Sequence, residues 1–142
     1  METLLRYVQA ATEHYLDALR LCPNDALTDL APSHHQLGSL YADVGQLDKA
    51  REQYEQAAQY REKAGNHFSA GQTRFNMALM YFQAAGHEDQ PSAERASLLR
   101  ASAYAEAALR DYQHYQGRAA DLEAKAKSLI EDINQALAKL PQ

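Results

Sequence analysis

Residues 37–57 read LGSLYADVGQLDKAREQYEQA, and this stretch decides the fold. Leu37, Gly38 and Tyr41 precede Gly45, and Ala50, Tyr54 and Ala57 follow it, with apolar and small residues recurring three or four positions apart on both sides. That is the period of a helix packed along one face, whereas the alternation of a strand is missing. Glycine adopts the left-handed conformation that closes a helix, so Gly45 reads as the break between two helices. A linker this short turns the second helix back against the first.

The same order recurs along the chain. Forty residues on from Leu37, Gly38 and Tyr41 stand Met77, Ala78 and Tyr81, again a large, a small and an aromatic residue. Thirty-nine residues before Ala50, Tyr54 and Ala57 stand Ala11, Tyr15 and Ala18, followed by Cys22 and Pro23. Such self-similarity defines a repeat architecture. Extending the period outward predicts six helices, at about 2–22, 29–44, 47–64, 68–86, 91–115 and 118–139. Pro23-Asn24-Asp25, Gly45, Gly65-Asn66, Gly86-His87 and Gly117 separate them, with Pro32 and Pro91 expected in first turns. The fold class read from this pattern is all-α, a single domain of antiparallel helical hairpins.

Residues 31–62 resemble the tetratricopeptide repeat. Leu37, Gly38, Tyr41, Ala50, Tyr54 and Ala57 fall on its motif positions in order, and Ala11, Tyr15, Ala18 and Pro23 supply a preceding second helix. The resemblance implies hairpins stacked into a short right-handed α-solenoid, with a concave groove lined by the first helix of each repeat. It divides the chain into the second helix of a truncated repeat (1–25), a full repeat (29–64), a repeat with an insertion (68–115) and a capping helix (118–140). The 39–40-residue step is similar to that of longer-repeat arrays in bacterial signalling proteins and kinesin light chains. Tyr104 and Ala107 match Tyr54 and Ala57 with a shift of 50, so about ten residues are inserted near 87–98 and an irregular hairpin is expected. Leu122, Ala126, Leu129, Ile130, Ile133, Leu137 and Leu140 form one stripe, as a cap over the last hairpin requires.

Composition narrows the function. The 142 residues carry 14 Lys+Arg against 19 Asp+Glu, a net charge of -5, which is the wrong sign for a nucleic-acid surface. One cysteine, Cys22, allows no internal disulfide, and the first residues lack a signal-peptide pattern. No apolar run reaches the ~20 residues of a membrane span. These features point to the cytoplasm, with neither nucleic acid nor membrane as partner.

Catalytic chemistry finds little support. His34 and His35 are adjacent on a helix and diverge by about 100°, His87-Glu88-Asp89 reads as a solvated loop, and Asp111 with His114 suits a surface hydrogen bond. There is no glycine-rich phosphate loop, nucleophile elbow or His-Glu-x-x-His. No enzyme activity, metal or cofactor is expected. The resemblance instead implies a peptide-binding groove at His35, Ser39, Ala42, Asp43, Gln72, Phe75, Asn76, Leu79, Phe82 and Gln83. Asn76 is the leading residue, because one amide both donates to and accepts from a peptide unit. Phe75, Leu79 and Phe82 form a stripe that is either an open patch or covered by the C-terminal helix. The expected function is a non-catalytic module binding a protein or peptide segment, as the C-terminal part of a larger signalling protein. The alternative is a free-standing helical protein that forms a homodimer through its open N-terminal edge.

Overall fold

A computed structural model describes residues 6, 7, 9–14, 17 and 27–141, all of whose regular structure is helical. Residues 6, 7, 9–14 and 17 are helical, including Ala11, whereas Tyr15, Ala18, Cys22 and Pro23 lie outside the described residues. Five further helices follow: α1 (Leu27–Asp43), α2 (Leu47–Lys63), α3 (His67–Ala85), α4 (Pro91–Gln113) and α5 (Ala120–Ala138). They fall into two compact units, residues 1–66 and 67–142. No helix among the described residues is long and apolar enough to cross a membrane.

In the first unit α1 packs on α2. Gly45 closes the turn between them at φ +79°, with its N–H on the Ala42 carbonyl and that of Gln46 on the Tyr41 carbonyl. Leu37, Ala50, Ala57 and Ala58 are buried and Tyr54 is nearly so. A Cβ on Gly38 would stand 2.7 Å from Tyr54 Cδ1, so this small residue is what lets the ring seat against α1. The motif residues are therefore a packing code, as the spacing predicts. Pro32 departs from expectation. Helix α1 starts at Leu27 rather than 29, which places Pro32 inside the helix, past the first turn, where its missing N–H leaves the Thr28 carbonyl without an i+4 donor.

The second unit holds α3, α4 and α5, with α3 on α4 and α4 on α5. Met77, Ala78 and Tyr81 of α3 and Leu98, Ala101, Ala105, Ala108 and Tyr112 of α4 are buried. Tyr81 and Tyr104 stack with centroids 5.9 Å apart and planes 7° from parallel, and the Arg100 guanidinium lies 5.5 Å over the Tyr81 ring. Ala126, Leu129 and Ile133 are the buried residues of α5, on the stripe expected of a cap.

The inserted residues form no irregular hairpin. Tyr81 stands four residues before the end of α3 and Tyr41 two before the end of α1. The linker at 86–90 has two residues more than that at 44–46, and α4 starts thirteen residues ahead of Tyr104 where α2 starts seven ahead of Tyr54. The insertion is therefore mainly helix, nearly two added turns opened by Pro91 at the first helical position, where a proline loses no hydrogen bond. Gly65 and Gly117 take positive φ as expected, but Gly86 does not. There the chain leaves α3 through successive turn bonds from Gly86, His87 and Glu88 to Gln83, Ala84 and Ala85.

Candidate functional site

The groove positions of α1 lie within the first unit. Tyr54 of α2 sits under them, and its seat draws in two. The His35 ring meets Tyr54 nearly edge-on, centroids 5.2 Å apart, and Ser39 hydrogen-bonds the Tyr54 hydroxyl. Arg61 Nη1 lies 3.5 Å from His35 Nδ1, a geometry in which the guanidinium donates and the imidazole nitrogen must be unprotonated. Burial, and then the Arg61 charge, hold the His35 pKa below the usual histidine value. His34 turns elsewhere, with Nδ1 2.7 Å from Gln53 Oε1 and its ring 5.4 Å from that of Tyr60. The two adjacent imidazoles thus diverge onto different residues of α2. Asp43, at the end of α1, is exposed.

The groove positions of α3 divide by face. Gln72, Asn76 and Gln83 are exposed, and Leu79 between them is half-buried. They are spaced at four, seven and eleven residues from Gln72, so they share one side of the helix. Phe75, one position before Asn76, turns about 100° away and packs with Leu109, Tyr115 and Leu122 against Ala108, Tyr112, Ala119 and Ala126. Residues of α4 and of the C-terminal segment cover it. Phe82 lines a cleft with Ala136 and Leu140 of the C-terminal segment. The apolar stripe of α3 therefore faces its own cap at Phe75 and Phe82, while a polar amide-bearing strip remains outside.

One charged cluster has no signal in the spacing. Asp111 is buried, not on a surface as its register with His114 suggests, and accepts a hydrogen bond from Arg74 Nη1 at 2.7 Å. His67 Nδ1 stands 3.7 Å from its other oxygen, and the His67 ring meets that of His114 with centroids 4.1 Å apart and planes tilted by 33°. Burial first, and the Asp111 charge second, push the neighbouring Tyr112 phenol up to about 12. A Cβ on Gly71 would lie 2.8 Å from Tyr112 Cε1 and 3.0 Å from Asp111 Cβ, so glycine admits α4 here as Gly38 admits Tyr54. Arg74 and Asp111 are 37 residues apart on different helices, a separation that periodicity within one helix cannot register.

The helical hairpins, their small-residue contacts and their repeated register define a helical-repeat protein. Residues 29–90 match the family model of the tetratricopeptide repeat. Two curated proteins, the photosystem I assembly protein Ycf3 of Synechococcus elongatus and that of a second Synechococcus strain, are each 43% identical to this chain over 58 residues. That segment is 39% of this chain and 34% of each relative, so the match spans about a third of the relatives' length. No solved structure matches the chain.

Proposed function

We propose that this chain is a non-catalytic protein-binding module, with one candidate binding face on α1 in the first unit and another on α3 in the second. The observation that carries the reading is the exposed strip of Gln72, Asn76 and Gln83 beside half-buried Leu79. Carboxamides both donate and accept, so such a strip matches the backbone of an extended peptide without demanding charge, and Leu79 offers an apolar contact beside it. On α1, Asp43 adds an exposed carboxylate, while His35 and Ser39 set the Tyr54 seat beneath that face. Phe75 and Phe82 support α3 from behind through the C-terminal segment.

The similarity to proteins named for photosystem I assembly favours a partner that is itself a protein subunit, held during assembly, over a small signalling ligand. A docking role within a larger signalling protein is the narrower form of the same proposal. Its test is capture of a partner on the full chain, compared with Gln72→Ala/Asn76→Ala and with Asp43→Asn. The expected result is one captured protein lost with the double substitution on α3. Undiminished capture by that variant, with unchanged helicity, overturns the assignment.

Self-association is the second reading, favoured by Tyr7, which is 67% exposed on the N-terminal helical residues. Sedimentation equilibrium decides it. A dimer weakened by Tyr7→Ser supports it, and a monomer throughout the concentration range rejects it.

A further inference from the structure

The added turns of α4 carry Glu94 to a cleft of about 430 Å³ in the second unit, lined also by Phe82 of α3 and by the end of α5 and the residues after it. Its apolar lining is Phe82, Ala136 and Leu140, all half-buried. Its charged lining is Glu94, half-buried, with Asp132 and Lys139, both exposed. Two carboxylates therefore face one ammonium. Among the described residues neither carboxylate closes an ion pair, with Lys139 or with any other cation. Arg95, next to Glu94, donates from Nη2 to the Pro141 carbonyl at 2.9 Å, which ties the segment after α5 to α4 and keeps Leu140 beside the cleft.

We propose that this cleft docks a lysine or arginine side chain projecting from an extended segment of a partner protein. The chemistry is complementary at both ends of such a side chain. Its alkyl stem matches the apolar lining, and its cationic head matches the excess negative charge of Glu94 and Asp132. The volume lies in the range of sites that enclose a small ligand, ample for one long side chain and its flanking backbone. An acidic or apolar occupant would return no partner to the two carboxylates, and an uncharged polar one would return a hydrogen bond without balancing their charge. The cleft is distinct from the amide strip of α3, and its failure as a site would leave the strip's role standing.

The test is a titration of the full isotope-labelled chain with acetyl-Leu-Arg-Leu-amide, followed by backbone amide shifts at low ionic strength. Acetyl-Leu-Gln-Leu-amide and acetyl-Leu-Glu-Leu-amide serve as references. The expected result is saturable shifts centred on Phe82, Glu94, Gln135 and Lys139, weakened by salt and produced by the arginine peptide alone. Glu94→Gln with Asp132→Asn should weaken binding by fivefold or more. Lys139→Gln should strengthen it about two- to fivefold, the range of an exposed charge interaction, and a poorly folded variant cannot imitate a gain. Shifts spread equally over Glu88, Asp89 and Asp121, equal binding of the glutamine peptide, or indifference to both variants would each overturn the proposal.

Discussion

Replacing Gly38 with alanine sets helix propensity against packing, because the two act in opposite directions at that position. Inside a helix, alanine is favoured over glycine by about 0.8–1.0 kcal/mol. Against this, the new Cβ would stand 2.7 Å from Tyr54 Cδ1, 2.8 Å from Cγ and 2.9 Å from Cε1, where ordinary contact begins at 3.4 Å. The ring would have to recede by roughly 0.7 Å, a shift large enough to forfeit much of its van der Waals contact. Tyr54 is 4% exposed, met edge-on by His35 and hydrogen-bonded by Ser39, so it has little room to move. Overpacking of a filled site typically costs about 1–3 kcal/mol. The net expectation is a loss of about 1 kcal/mol, the surplus of overpacking over propensity. Urea denaturation followed by far-UV circular dichroism reads it as a lower midpoint at unchanged slope. In a Tyr54→Ala background the ring is gone, and the same Gly38→Ala change should become stabilising by about 1 kcal/mol. The double-mutant cycle then isolates a coupling of about 2 kcal/mol between the two positions. Stabilisation by Gly38→Ala in the parent chain, or no change of sign in the second background, would refute the packing code.

Three further outcomes follow from the charged and aromatic groups. Asp111→Ala removes the buried carboxylate that pairs with Arg74 at 2.7 Å and should destabilise by about 3 kcal/mol; Arg74→Met with Asp111→Leu should recover most of that loss in the same urea assay. His35 has a folded pKa below its unfolded value, so its contribution is complete above the unfolded pKa near 6.5 and fades as pH falls below it. His35→Gln should therefore flatten the fall in stability between about pH 7 and pH 5, measured as the difference from the parent chain. Tyr112 is raised to about 12 from 10.0, so its contribution is complete below pH 10 and is lost as pH rises through that interval. Tyr112→Phe should remove that alkaline loss, and an unchanged slope above pH 10 would place the titration elsewhere.

Local spacing carried the hairpins because each motif residue meets a partner fixed by the register of two short-linked helices. Leu37, Gly38 and Tyr54 could be paired on paper, and the Gly38–Tyr54 contact follows from that register. The seat of Asp111 could not be read this way. Its burial depends on Arg74 across a 37-residue separation, and neither residue type marks a position as internal. The apolar stripe of α3 lay between these extremes. Its spacing placed Phe75, Leu79 and Phe82 on one side, but whether that side met solvent depended on how the cap closes, and Phe75 now sits on Ala126 and its neighbours.

The inserted residues show where the chain departs from its own repeat. Counting between Tyr81 and Tyr104 reveals ten more residues than between Tyr41 and Tyr54, but a count alone cannot say whether they coil or bulge. Pro91 carries that information. A proline is favoured at the first helical position and costs a hydrogen bond in the interior, so a helix running through Tyr104 is expected to begin at 91. The extra length must then lie ahead of the packed aromatic, which is where Glu94 stands. The residues that fit the repeat, Tyr104 and Ala107, are half-buried next to the buried Ala101, Ala105 and Ala108, whereas the added turns place Glu94 beside Phe82, Asp132 and Lys139. The common fold thus resides in the small buried residues, and the surface peculiar to this chain is built by the turns that the repeat does not require.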